Sequence, residues 1–332
     1  MRAVVLARAP GPRLRPDDFA TSDAPPPRSL RPGEVRLRVR WLSIDPYQRG
    51  LLDESPMFGQ RIRPGTVMAG RGIGEVIESR ADGWAPGEHA LGDTGWADEA
   101  VADAARLVRV AGPAEQLPLH LGVLGVSGLT ALLGLEALGG IDDGDVLLVS
   151  SAAGAVGSTV VQIARARGAR VVALASGEHK TALLRELGAA AVIDRLRSPD
   201  LPDALRAAAP EGLTAFFDNV GESTLLAGLM ALRPRGRALL CGYVAGYEAA
   251  AGSTSLEVFR LIMRQRLELR GFLVHDHAAR FSAARAELSA LIDNGRVQPL
   301  QTVVEGLVNA PAALCDLLAG RAIGKVVVKL VG

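Results

Sequence analysis

The sequence predicts an α/β protein: a doubly wound parallel sheet covered by helices, joined to a separate β-rich domain. Three observations carry this. The stretch Val146-Leu147-Leu148-Val149-Ser150-Ser151-Ala152-Ala153-Gly154-Ala155-Val156-Gly157 passes from four apolar residues, through a run of small ones, into a helical pattern. After about residue 120, strand-like apolar runs alternate with helix-like segments, which is the rhythm of a parallel sheet with helices on both faces. Before residue 120 the runs are short and separated by turn clusters such as Arg31-Pro32-Gly33-Glu34, Pro64-Gly65 and Ala85-Pro86-Gly87-Glu88. Many short strands at that spacing predict a compact, barrel-like β domain.

Taken in order, the β-rich part has strand-like runs at residues 35–41, 73–77 and 100–110, and Pro25-Pro26-Pro27 forms a stiff connector that cannot join a sheet interior. A helix over residues 122–138 leads through Asp142-Asp143-Gly144-Asp145 to the strand at 146–149. In the helix that follows, Val156, Val160 and Ile163 recur at helical spacing, while Gln162, Arg165 and Arg167 are expected to face away. Strands at 170–175, 191–193, 215–217, 238–241 and 267–273 then alternate with helices at 180–187, 200–208, 223–231, 256–265 and 278–293. The tail from Val297 carries a helix at 310–318 and ends in an edge-like strand at 325–331. It does not continue the βα rhythm, so the C-terminus is expected to return to the first domain. The expected boundaries are 1–121 completed by 295–332, with 122–294 between.

The totals exclude several classes. At 332 residues there is room for two domains with proper cores, and 48% hydrophobic with 22% charged residues describes an ordinary globular protein. A net charge of +1 gives no electrostatic reason to expect nucleic acid or an anionic membrane as a partner. The two cysteines, Cys241 and Cys315, exclude a disulfide framework and a Cys-rich zinc site, and fit a reducing compartment. The N-terminal apolar run is too short for a signal peptide, and no apolar segment reaches the roughly 18 residues of a membrane span. A cytoplasmic protein is expected. Basic charge is almost all arginine, with lysine only at Lys180, Lys325 and Lys329.

Strand, small-residue turn and helix together open a dinucleotide-binding unit of the Rossmann type. Tiny residues let backbone N–H groups at the helix N-terminus approach a pyrophosphate, where the helix dipole favours negative charge. Of the G-x-G-x-x-G pattern, Gly154 and Gly157 are present and Ala152 stands at the first position. An NAD site expects Asp or Glu at the end of the second strand, to bind the ribose hydroxyls. Here that place reads Ala175-Ser176-Gly177, with Lys180 just beyond. A hydroxyl and a cation without a carboxylate suit the 2′-phosphate of NADP. Lys180 could equally be a solvated first-turn lysine, but there it opposes the helix dipole, which favours the phosphate role.

These residues, in this order, resemble the zinc-independent medium-chain dehydrogenase/reductases, in the branch of prostaglandin reductases, plant alkenal double-bond reductases and bacterial curcumin reductase. The resemblance rests on Ser43-Ile44-Asp45-Pro46-Tyr47-Gln48-Arg49, Leu124-Gly125-Val126-Ser127-Gly128-Leu129-Thr130-Ala131, Ser151-Ala152-Ala153-Gly154-Ala155-Val156-Gly157 and Phe217-Asp218-Asn219-Val220-Gly221. Cys241-Gly242 followed by Tyr247, Leu269-Arg270-Gly271-Phe272 and Gly324-Lys325 extend it nearly end to end. It implies a GroES-like catalytic domain built from both chain ends, a Rossmann NADPH-binding domain between them, and a homodimer. It implies that Gly154, Ala155, Val156 and Gly157 cradle the pyrophosphate, and that Ser176 and Lys180 meet the 2′-phosphate. Asn219, Cys241, Gly242, Tyr243 and Val244 would line the dinucleotide, and Phe272, Leu273 and Val274 would flank the nicotinamide. Two departures stand out: Arg195 replaces a tyrosine that helps bind the 2′-phosphate, and Ala322 replaces a cofactor-contacting asparagine.

Zinc-dependent relatives carry a Cys or His after an early strand and a Gly-His-Glu triplet. The corresponding stretches here read Asp45-Pro46-Tyr47 and Ala69-Gly70-Arg71-Gly72. A catalytic zinc normally takes three protein ligands, whereas His89, His120 and His179 are scattered and the His275/His277 pair has no third member. No metal is expected. The remaining chemistry is hydride delivery from NADPH to an acceptor already electrophilic at carbon, such as an α,β-unsaturated aldehyde or ketone. Its developing enolate needs one hydroxyl donor, and the resemblance points to Tyr247, which could also be an ordinary loop aromatic. Tyr47 and Met68 are expected in the substrate pocket, although Tyr47 could simply pack its turn; Met57, Phe58 and the loop at 243–251 would shape specificity. Cys241 reads as a small buried residue, not a nucleophile. An NADPH:quinone reductase and a non-catalytic NADPH-binding protein are the alternatives.

Overall fold

A computed structural model describes residues 1–23, 28–54, 56–57, 59–247 and 255–330, with only the backbone of Tyr247, Ser255 and Leu256. Pro25-Pro26-Pro27, Phe58, residues 248–251 of the specificity loop and the end of the C-terminal strand lie outside them. The chain forms two units, Met1–Leu121 with Gln301–Gly332, and Gly122–Leu300.

The first unit opens with β1 (Arg2–Leu6) and β2 (Phe19–Asp23), which pair antiparallel. In β3 (Glu34–Ile44) strict alternation buries Val35, Leu37 and Val39 and leaves arginines between them, the period of a strand with one face on a core. A short helix, α1 (Tyr47–Gly50), and strands β4 (Arg71–Ser79), β5 (His89–Asp93), β6 (Glu99–Asp103) and β7 (Val108–Val110) follow. The run at 100–110 is therefore two strands. Asp103 separates them by accepting the Ala105 N–H at 3.0 Å and capping a 3-10 turn at Ala104–Arg106.

The second unit begins with α2 (Val126–Ala137) and then alternates β8 (Val146–Val149), α3 (Ala155–Ala166), β9 (Arg170–Ala175), α4 (Glu178–Glu186), β10 (Ala191–Asp194) and α5 (Leu201–Ala208). It continues with β11 (Leu213–Asp218), α6 (Glu222–Ala231), β12 (Leu232–Leu240), α7 (Ser255–Gln265), β13 (Glu268–Gly271) and α8 (Phe281–Asp293). All neighbours are parallel in the order β10-β9-β8-β11-β12-β13. The order reverses between β8 and β11, and such a switch point opens a crevice at the carboxyl ends of the strands. Gln162, expected outside α3, is buried. Its amide bonds the Ser158 and Gln298 carbonyls and accepts the Gln298 N–H at 2.7 Å. The same bonds, with buried Val297, keep residues 295–300 in this unit, so the return to the first unit begins at Gln301 and not at 295.

The chain returns through β14 (Gln301–Glu305), α9 (Ala310–Leu318) and β15 (Lys325–Lys329). The last strand is interior, not an edge: β14 pairs with it on one side and β3 on the other, in a sheet ordered β14-β15-β3-β4-β5-β7 with β6 on β3. Among the described residues no helix is long and apolar enough to cross a membrane.

Lys325 sits inside this sheet at 2% exposure. Its ammonium donates to the Ile44 carbonyl at 2.8 Å and to the Asp45 carboxylate, whose other oxygen takes the Ser43 hydroxyl. Fully buried Gln48 accepts the Asp45 N–H at 2.9 Å and donates to the Ser43 and Ala69 carbonyls. Removing one member of a buried ion pair strands the other charge. Asp45→Asn, which strands the ammonium, is expected to destabilise the fold by about 3 kcal/mol. Lys325→Met should cost less, because Asp45 is partly exposed and keeps Ser43. Urea unfolding of both variants checks the order.

Candidate functional site

At the switch point the turn after β8 is built for close backbone approach. Ser151 takes a left-handed φ of 47°, and Gly154 enters α3 in extended conformation with no side-chain cap. The first α3 bond runs from the Ser158 N–H to the Gly154 carbonyl at 2.9 Å. The N–H groups of Ala155, Val156 and Gly157 therefore lie ahead of the ladder, as the first N–H groups of any helix do. A Cβ on Gly157 would fall 2.4 Å from the Ser151 carbonyl oxygen, and one on Gly154 would come within 3.2 Å of Ser151. Only glycine lets the helix seat this close to the turn. The seated turn leaves bare donors at a positive helix end and fits the phosphates of a dinucleotide.

The turn is anchored from below by Asp218, a residue whose role the sequence reading missed. Buried at the end of β11, its carboxylate accepts the Ser150 hydroxyl at 2.7 Å and the Val220 and Gly221 N–H groups at 3.1 and 2.9 Å. Burial raises its pKa, against the pull of these three donors. Ser150 in turn accepts the Asn219 N–H, and its carbonyl accepts the Asn219 side-chain amide, both at 2.8 Å. The Asp218 carbonyl takes the N–H groups of Cys241 and Gly242. A Cβ on Gly242 would sit 2.7 Å from the Asn219 carbonyl oxygen. Asn219, Cys241 and Gly242 thus meet the glycine turn at one point of the sheet end. A carboxylate closing an apolar strand was the available signal for Asp218.

Next along that end, the Phe272 N–H donates to the Leu240 carbonyl at 3.2 Å, and the Phe272 ring stacks on His277 with centroids 5.1 Å apart. Leu273 is exposed and Val274 buried. Tyr243 turns its hydroxyl to the Glu222 carboxylate, which raises the phenol pKa. Val244 and the backbone of Tyr247 belong to a 3-10 turn, Val244–Tyr247.

At the end of β9, Gly177 takes a φ of 97° and its N–H donates to Asp194 at 3.0 Å. Asp194 Oδ1 also accepts the Leu196 N–H, and these bonds, led by Gly177, hold its pKa down. Ser176 and Lys180 stand on this turn and the helix it starts. The Lys180 pKa is lowered by burial, as for a cation whose surroundings disfavour its charge. Arg195 is brought beside them by its N–H bond to the Ala175 carbonyl at 2.9 Å, but its guanidinium reaches Thr224 on α6 at 3.1 Å. The backbone bond to Ala175 thus brings Arg195 to the end of β9, where Ser176 and Lys180 follow in the chain.

In the first unit a cavity of about 520 Å³ is lined by Tyr47, Leu51, Ile62, Thr66, Ala69, Gly70 and Asp93, among others. Burial pushes the Tyr47 phenol above its ordinary pKa, the Asp45 and Asp93 carboxylates add to this, and Arg71 opposes it. Met68, expected in the pocket, is instead fully buried in the core formed with Val4, Leu42 and Trp96 and does not line the cavity, because Met68 bonds Val4 and Trp96 through its backbone. Met57 is 73% exposed and does not line it either.

Two family models match the chain: one described as the N-terminal domain of oxidoreductase over residues 2–110, the other as zinc-binding dehydrogenase over residues 155–290. Fold and matches together define a medium-chain dehydrogenase/reductase. The chain is 32% identical over 326 residues to the NADPH-dependent curcumin reductase of Escherichia coli (strain K12), covering 96% of this chain and 92% of that protein. It is 33% identical to prostaglandin reductase 1 of Bos taurus, covering 94% and 93%. A crystal structure of CurA in complex with NADPH from Vibrio vulnificus superposes with a TM-score of 0.93 at 30% identity, covering all of both chains. The chain belongs to the prostaglandin reductase, curcumin reductase and alkenal reductase branch of that superfamily. The zinc in the second model's description does not fit these residues. Asp45 is held by Lys325 and Ser43, Gly70 offers no side chain, and among the described residues no three His, Cys, Asp or Glu groups could hold a metal ion.

Cys241 stands at the sheet end as a thiol that burial and then Asp218 push up to about 12. At pH 8 roughly one molecule in ten thousand would carry the reactive thiolate. Iodoacetamide at pH 8 should leave Cys241 unmodified in the folded protein and label it after unfolding, as read by peptide mass spectrometry.

Proposed function

We propose that this protein reduces the carbon–carbon double bond of α,β-unsaturated aldehydes and ketones with NADPH. The observation that carries the reading is the seated glycine turn, with Ser176 and Lys180 where an NAD site would place a carboxylate. The names of the relatives, NADPH-dependent curcumin reductase and prostaglandin reductase, support it.

NADPH, when bound, supplies the hydride. The N–H groups of Ala155, Val156 and Gly157 hold the pyrophosphate, and Lys180 and Arg195 the 2′-phosphate. Asn219, Gly242 and Val244 border the dinucleotide, with Phe272, Leu273 and Val274 at the nicotinamide. Hydride addition at the β-carbon of the acceptor would shift the carbon–carbon double-bond pair to the bond between the α-carbon and the carbonyl carbon and the carbonyl π pair onto oxygen, giving an enolate whose α-carbon then takes a proton from water. Tyr247 donates a hydrogen bond to that enolate oxygen; a phenol with a pKa near 10 is protonated at neutral pH. Tyr47 lines the first unit's own cavity.

Following NADPH absorbance with a 2-alkenal tests the reading: consumption with the alkenal that exceeds consumption with a quinone supports it. A higher rate with quinone, or NADPH binding without turnover of any acceptor, overturns it. Tyr247→Phe should lower kcat on the alkenal by about 10²-fold, the scale of a lost transition-state donor, while the NADPH Kd stays within twofold. Replacing both Lys180 and Arg195 by Ala should raise the NADPH Kd by at least about tenfold and leave the NADH Kd unchanged, as measured by nucleotide fluorescence.

A further inference from the structure

The turn that carries Tyr247 is tied to the start of α6 by an arrangement that the backbone marks as costly. Glu222, the first residue of α6, has a left-handed φ of 50°, a conformation that favours glycine. Its carboxylate accepts the Tyr243 hydroxyl. The Tyr243 ring lies between two glycines: a Cβ on Gly221 would fall 2.6 Å from it, and one on Gly246 would fall inside it at 1.6 Å. A backbone bond runs alongside, from the Ala245 N–H to the Val220 carbonyl at 3.1 Å, and the Gly246 N–H closes the turn on the Tyr243 carbonyl at 3.1 Å.

Tyr243 is 42% exposed, so burial of its ring does not account for the arrangement. Strained backbone persists where surrounding bonds over-determine it. Here the Tyr243–Glu222 and Ala245–Val220 bonds join residues 220–222 to residues 243–246, and the segment they hold runs directly into Tyr247. At the other end of the tie, the Val220 and Gly221 N–H groups are fixed by Asp218. The held segment is thereby referred to the same carboxylate that anchors the glycine turn.

We infer that Tyr243 and Glu222 are a positioning pair that fixes the Val244–Tyr247 turn, and so the backbone of Tyr247, at the sheet end. The inference rests on the reading of Tyr247 as the enolate donor. Neither member of the pair needs to touch the acceptor; both act through the backbone between them.

The pair makes an unusual prediction about Glu222→Gly. Glycine relieves the left-handed strain and removes the carboxylate, so the melting temperature should rise while kcat on the alkenal falls by about tenfold, the population effect of one hydrogen bond to a charged acceptor. Tyr243→Phe should lower kcat to the same extent, the double variant should be no worse than either single one, and the KM for NADPH should move less than twofold in Glu222→Gly. Glu222→Gln keeps an oxygen acceptor and should restore most of kcat. Amide hydrogen exchange at Ala245 reads the tie without any turnover, and it should accelerate about tenfold in Glu222→Gly and Tyr243→Phe. Unchanged exchange at Ala245 in both variants overturns the inference, as does a parallel fall of kcat and melting temperature in Glu222→Gly without recovery in Glu222→Gln. Faster exchange in variants of a protein that reduces no alkenal upholds the tie and overturns the reduction reading instead.

Discussion

The Asp218 carboxylate is the interaction on which the nucleotide end of the second unit depends. The carboxylate collects the Ser150 hydroxyl and two N–H groups of the β11–α6 connection, while the backbone carbonyl of the same residue takes the first N–H groups after β12. Three strand ends are thereby referenced to one residue. The arrangement has a measurable cost. Burial raises the Asp218 pKa above its unfolded value, so its contribution to stability is fullest below about pH 3.9 and declines as pH rises through the folded value. At neutral pH it spends stability on geometry, as groups at functional sites often do.

The first unit applies the same principle with a lysine. Lys325 and Asp45 are held together across β15 and β3, and Gln48 carries the constraint on to Ala69. Tyr47 and Ala69 both line the cavity, so a buried ion pair and one glutamine set the spacing of two of its walls. Buried pairs of this kind specify arrangement more reliably than they add stability. Where zinc-dependent relatives would present a ligand, this chain has a carboxylate already committed to an ammonium.

The sequence made some features legible and hid others for physical reasons. The apolar run and small-residue turn of residues 146–157 announced the β8–α3 unit because both strand burial and close backbone approach demand particular residue types. Gln162 misled because a glutamine on a helix is ordinarily solvated, and its burial depends on the Gln298 backbone 136 residues away. Residues 301–305 gave no strong strand signal, since β14 is only partly buried, and without it β15 read as an edge. Met68 was expected in the pocket, yet it is fully buried in the core with Val4 and Trp96, to which its backbone bonds. Glu222 could not have been found at all, because a left-handed glutamate is invisible until its backbone is seen.

By itself the sequence determined the two kinds of layer, the alternation after residue 120, the glycine turn and the missing carboxylate at the end of β9. Each of these is a local demand on residue type or periodicity, and local demands are written locally. Only the tertiary structure decided which groups share a partner: Asp218 under the turn, Lys325 on Asp45, Arg195 turned to Thr224 and Tyr243 on Glu222. Those pairings join residues distant in the chain, and their energies depend on burial and on distances of about 3 Å that no sequence pattern encodes. The glycine turn thus marks where a dinucleotide would be held, while the folded network beneath it fixes the geometry in which the holding is done.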